Sequence, residues 1–118
     1  MTVSQLGLLV NGVVTQLFTL DKAKLTIGRS SKCDIHIDDV GVSTNHALIV
    51  IAPNKFLDGY NDILIEDLQS RNGTLVNGQP IQRCLLKPDD VIAIGFHKFK
   101  LLDDRAKGRE STVLLMMD

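Results

Sequence analysis

Three short polar clusters carry the side chains that could do chemistry in this chain. IGRS at 27–30, STNH at 43–46 and SRNGTLVNG at 70–78 each place Arg, Ser, Thr or Asn where an apolar run stops. Together they supply the guanidinium groups of Arg29 and Arg71, the hydroxyls of Ser30, Ser43 and Thr44, and the amides of Asn45 and Asn72. A phosphate monoester in a peptide brings close to two negative charges and three acceptor oxygens. Its recognition takes a charged donor in a fixed fork, with neutral donors beside it. Arg29 and Arg71 can be the fork, and Ser30, Ser43 and Thr44 the neutral donors. An amide such as that of Asn72 can pair with the main chain of an extended peptide. If the fold gathers these loops at one end, they form a concave site for a phosphate and a strand-like peptide.

Catalysis has less to work with. His36, His46 and His97 lack a paired nucleophile or carboxylate, and no Walker or dinucleotide loop is present. No cofactor is implied, and no metal: His46 has no second ligand at metal spacing. It reads instead as a structural histidine pinning the 43–46 turn. Gly28, Gly73, Gly78 and Gly95 read as turn or close-approach glycines, and Asn72 and Asn77 favour turns through local backbone hydrogen bonds.

These loops must be positioned by strands. Apolar runs at 6–10, 13–20, 24–28, 34–37, 46–52, 62–68, 74–76, 79–81, 91–94 and 97–102 are short, rich in Val, Ile, Leu and Phe, and separated by Gly, Asn, Asp or Pro. Leu25 and Ile27 bracket Thr26, and Ile35 and Ile37 bracket His36, as in half-buried strands. Ala47–Ala52 and Val91–Ile94 are continuously apolar and predict strands covered on both faces. Asn11-Gly12 between two apolar runs is a hairpin signal, because both residues must accept positive φ. No stretch before residue 104 has a helical period. The pattern predicts an all-β chain, an antiparallel sandwich.

Length and charge narrow the function. A chain of 118 residues makes one domain, and 44% hydrophobic with 23% charged residues is ordinary for a soluble protein. A net charge of -1, from 13 basic and 14 acidic side chains, provides no global field for nucleic acid or an anionic membrane. One Tyr and four Phe are few for a base-stacking surface. No run approaches a membrane span, and the first residues lack the features of a signal peptide. Cys33 and Cys84 follow no CxxC pattern and read as buried small residues in a reducing compartment, which predicts a cytoplasmic location. The domain is expected to occupy residues 1–104. A tail follows at 105–118, where charged DDRAKGRE at 103–110 gives way to STVLLMMD at 111–118. That tail reads as a terminal segment that packs on the domain or simply frays. Its other reading is a docking or self-association segment in which Thr112 or Ser111 is phosphorylated.

The order GRS (28–30), SxxH (43–46), SRNGT (70–74), NG (77–78) and LxxDDxIxxG (86–95) resembles the forkhead-associated, or FHA, domain family from about Leu6 to Leu102. The resemblance implies an eleven-stranded sandwich of two sheets that binds phosphothreonine peptides through loops at one end. On matching positions, it implies that Arg29 bonds the phosphate and that Ser43 does so through its hydroxyl and backbone N–H. Thr44 stands where the family often has Arg, Lys or Asn, which reduces that contact to a hydroxyl. Arg71 would flank the phosphothreonine and Asn72 would hold the peptide main chain. Gly28, Ser30, His46, Gly73 and Asn77 would shape the loops. With Gly41 and Val42 preceding the serine, a small or apolar residue is expected three places after the phosphothreonine.

The function expected is thus a phosphothreonine-peptide-binding adaptor downstream of a Ser/Thr kinase. The alternative is a phosphorylation-independent scaffold that docks a constitutive partner by the sandwich surface or the tail.

Overall fold

The computed structural model describes residues 4–102, and every regular element in them is a strand. Eleven occur in order: β1 (Gln5–Val10), β2 (Val13–Thr19), β3 (Lys24–Gly28), β4 (Ile35–His36), β5 (Ala47–Pro53), β6 (Asn61–Asp67), β7 (Thr74–Val76), β8 (Gln79–Ile81), β9 (Arg83–Leu85), β10 (Val91–Ile94) and β11 (His97–Leu102). They form a six-stranded sheet, β2-β1-β11-β10-β7-β8, and a five-stranded sheet, β4-β3-β5-β6-β9. The antiparallel sandwich expected from the alternation is therefore observed, with one parallel pair, β3 with β4. The proposed tail, with Ser111 and Thr112, lies outside the described residues.

The core lies between the sheets. Leu6, Ile92, Ile94, Phe99 and Leu101 from one sheet meet Ile27, Ile35, Ala47, Ile49 and Ile65 from the other, all essentially inaccessible. Each such large side chain contributes about 1.5–3 kcal/mol by leaving water. Phe18 packs edge-on to Phe99 with centroids 6.1 Å apart.

Two expectations are corrected in detail. The continuous runs Ala47–Ala52 and Val91–Ile94 are not covered on both faces: Leu48, Val50, Val91 and Ala93 are only half-buried. A two-layer sandwich has no third layer to cover its outer faces. The other is β9, whose three residues show no alternation and give no signal in the sequence. Asn11-Gly12 and Asn77-Gly78 take positive φ (53° and 79°, 52° and 83°), so both make the tight hairpin turns that this dipeptide favours.

Strand register sets the position of the polar clusters. Ile27 lies opposite Ala47, and Ala47 opposite Asp67. In the other sheet, Thr74 lies opposite Ile94, and Ile94 opposite His97. The loops at 29–34, 37–46, 68–73 and 95–96 thus emerge at one pole.

Candidate phosphopeptide-binding loops

The loop after β3 and the loop before β5 are laced together by their backbones. Arg29 N–H donates to Ser43 O at 3.0 Å, and Ser30 N–H to Thr44 O at 3.2 Å. This close approach requires Gly28: a Cβ there would lie 2.3 Å from Thr44 O. The lacing brings Arg29 against the second loop, where its Nε donates to Val42 O at 3.0 Å and its Nη2 to Thr44 Oγ1 at 3.3 Å. The guanidinium is exposed yet held at two points, as a fork for an anion needs to be.

His46 fixes the serine turn from beneath. It is fully buried and accepts from Ser43 N–H at Nδ1, 3.1 Å away, while Nε2 faces Gly73 O at 2.8 Å. An acceptor at Nδ1 and a carbonyl at Nε2 require the tautomer with its proton on Nε2. The same ring therefore ties the 43–46 turn to the 68–73 loop. It also takes up the Ser43 N–H that the family resemblance directed to the ligand. The Ser43 Oγ accepts from Arg71 N–H at 2.9 Å, so its own proton points elsewhere.

A carboxylate that was not singled out in the sequence organises the third loop. Asp67, at the end of β6, accepts from the hydroxyl and backbone N–H of Ser70 and from Thr74 Oγ1 at 2.7 Å. Ser70 Oγ in turn accepts from Gly73 N–H at 2.9 Å. Burial alone would raise the Asp67 carboxyl, but the Ser70 and Thr74 hydroxyls and the Ser70 amide together hold it below its ordinary value. Its signal was present as an Asp three residues before Ser70 and seven before Thr74, the spacing of a side chain capping a tight loop. Gln69 in this loop takes φ 55° and Gly73 φ 84°. A left-handed Gln is unusual and is sustained by these surrounding bonds.

The arrangement encloses a polar hollow of about 320 Å³ lined by Arg29, Val40, Gly41, Val42, Ser43, Thr44, Gln69 and Arg71. Four of the five expected ligand-contacting residues line it. Asn72 stands beside it, donating to Gly41 O at 2.8 Å, and lines a second recess of about 340 Å³ with Asp39, Gly41, Leu75, Ala93 and Phe96. Ser30 faces away and accepts from Lys32 N–H at 3.1 Å. Asn77 lies at the other pole, where it bonds Asp90 and Val91 N–H and closes the β7–β8 turn. Asp38 and Asp39 do not line the hollow. The carboxylate of Asp39 turns to Gly41 N–H at 2.8 Å and His97 Nε2 at 2.9 Å. The Gly41 bond first, and His97 second, lower its pKa. Among the described residues, the hollow is thus lined by two cations and no carboxylate.

The family pattern of the FHA domain matches residues 25–95, the span that contains all three loops. The chain belongs to the FHA domain family. Among curated proteins, it is similar to the glycogen accumulation regulator GarA of Mycobacterium tuberculosis, 38% identical over 85 residues, covering 72% of this chain and 47% of GarA. The chain thus spans about half the length of the curated relatives it matches. Among solved structures, it is similar to Mycobacterium tuberculosis EmbR in complex with a low-affinity phosphopeptide, with TM-score 0.72 and 32% identity over 85% of this chain and 24% of EmbR. A second FHA domain, solved in a study of phosphothreonine-dependent interactions, aligns with TM-score 0.71 and 31% identity, covering 86% of this chain and 97% of that one. In this FHA domain, Cys33 is buried, Cys84 half-buried, and both are free thiols. No described helix is long and apolar enough to cross a membrane.

Proposed function

We propose that this FHA domain is a phosphothreonine-peptide-binding adaptor in Ser/Thr kinase signalling. The observation that carries this reading is the hollow, lined by no carboxylate among the described residues, in which Arg29, braced by Val42 O and Thr44 Oγ1, lies with the Ser43 turn and Arg71. The phosphate enters that hollow. The guanidinium of Arg29 donates to two of its oxygens, with the Ser43 and Thr44 hydroxyls as neutral donors. Arg71 supplies the second positive charge beside the phosphothreonine. Asn72 spends one amide proton on Gly41 O and offers its carbonyl and remaining proton to the peptide main chain.

Charge-assisted hydrogen bonds contribute roughly 1.5–3 kcal/mol each. Two or three of them, less the ordering of a flexible peptide, give affinities around micromolar. The recess beyond Asn72, floored by Leu75 and Ala93 and edged by Phe96, takes a small or apolar side chain downstream of the phosphothreonine. The protein acts by binding, in the cytoplasm, with the domain at 1–104 as a module and no cofactor.

Capture of partner proteins before and after phosphatase treatment tests this reading. Partners lost on dephosphorylation, and displaced by excess phosphothreonine peptide but not by oligonucleotide, support it. Full retention after phosphatase contradicts it.

A further inference from the structure

The two sheets have four edges, and three of them are short. β4 has two residues, β9 has three including Arg83, and β8 has three including Pro80. Short length, charge and proline are the devices that keep an edge from recruiting another strand. The fourth edge, β2, has none of the three. It is seven residues long, pairs among the described residues only with β1, and belongs to a stretch, residues 1–20, without a single Asp, Glu, Lys or Arg. Val13 is 62% exposed and Leu17 52%, with Val10 and Val14 also exposed. One bulge interrupts the β1–β2 register at Leu8/Leu9, where Thr15 Oγ1 bonds Leu8 O. Beyond it, Gln16–Thr19 runs as regular strand.

The chain itself leads toward this edge. Leu102, the last described residue, lies opposite Gln5, and Gln5 lies opposite Thr19. Gly7 on the intervening strand leaves room for Val14 and Leu102 to approach over it: a Cβ there would lie 2.9 Å from Val14 Cγ1 and 3.2 Å from Leu102 Cδ1. An apolar surface thus runs from Leu102 to β2. Both β11 and β2 are antiparallel to β1, so β11 arrives at the Thr19 end running parallel to β2. A segment that turns back there would run antiparallel to β2.

Residues 111–117, STVLLMM, are such a segment: seven residues, uncharged, with Val, Leu and Met suited to a half-buried strand. The charged stretch 103–110 separates them from Leu102. Its eight residues reach roughly 26 Å when extended, against about 14 Å for three strand spacings. We propose that residues 111–117 of the same chain add to β2 as an antiparallel strand and extend the six-stranded sheet. This docking places Thr112 near Thr19, at the pole away from Arg29, and leaves the phosphate hollow open.

The test is hydrogen exchange on the full chain, wild type against Leu115→Pro. Proline removes an N–H and is disfavoured within a paired strand, and position 115 lies outside the described residues. The wild type is expected to be monomeric, with amides of 13–19 and 113–117 protected. L115P is expected to speed exchange in 13–19 by about tenfold or more, with β5 and β6 unchanged as the control for folding. Equal exchange at 13–19 in the two proteins would overturn the proposal. So would a dimer whose β2 protection falls on dilution and survives L115P, which would assign the edge to a second copy.

Discussion

The Ser43 amide donates to Nδ1 of fully buried His46, a bond that ties the 43–46 turn to the core. The same imidazole reaches Gly73 O, so a residue that contacts no solvent links the 43–46 turn to the 68–73 loop. His46→Ala takes the partner from the part-buried Ser43 N–H and Gly73 carbonyl and opens a cavity. The expected cost is about 2–4 kcal/mol of stability, read by urea unfolding. Phosphopeptide affinity should also fall although His46 touches no ligand. Unchanged stability would show that the clamp is dispensable.

Gly28→Ala tests the close approach of the first two loops. Its Cβ would meet Thr44 O, a backbone atom that can yield only if the loop moves. The variant should keep the sandwich, lose about 1–3 kcal/mol, and bind phosphopeptide at least tenfold more weakly. Calorimetry alongside titration separates the two effects.

Asp67 makes the third loop sensitive to acid. Its folded pKa lies below its ordinary value, so its contribution is present above that value and is lost as pH falls through the lowered one. Stability measured from pH 7 down to pH 3 should decline in the acid range, and Asp67→Asn should flatten part of that decline. At pH 7 the same variant should be less stable by about 1–2 kcal/mol. Parallel pH profiles for wild type and D67N would contradict the assignment.

The sandwich and its loops were legible in the sequence because apolar alternation and Asn-Gly turns are local signals. Arg29, Ser43, Thr44 and Arg71 could be read as candidates because polar clusters interrupt apolar runs. What could not be read was commitment. That the Ser43 N–H belongs to His46, or that Asp39 turns to Gly41 and His97 and away from the hollow, depends on contacts between distant loops. Asp67 is a different case: its partners Ser70 and Thr74 are local, but an Asp at a strand end looks like an ordinary solvated charge until those hydroxyls fold onto it. The half-buried outer faces of β5 and β10 show the limit of periodicity, which reports apolar residues but not what covers them.

Phe96 is 96% exposed at the rim of the second recess. Phe96→Ala should leave the requirement for phosphate intact and reduce discrimination among residues downstream of the phosphothreonine by about 5-fold, a loss of roughly 1 kcal/mol of apolar contact. Selection from a degenerate phosphothreonine library by both proteins measures it. An identical selected motif would place the downstream contact elsewhere.

In the proposed function, Arg29 reads a phosphate on threonine. Fluorescence anisotropy with three matched peptide pools, carrying phosphothreonine, phosphoserine or unmodified threonine, tests it most directly with wild type, Arg29→Ala and Asn72→Ala. Wild type is expected to bind the phosphothreonine pool, R29A to lose most of that affinity, and N72A to bind the same pool more weakly. Equal binding of all three pools, or R29A binding as tightly as wild type, would contradict it.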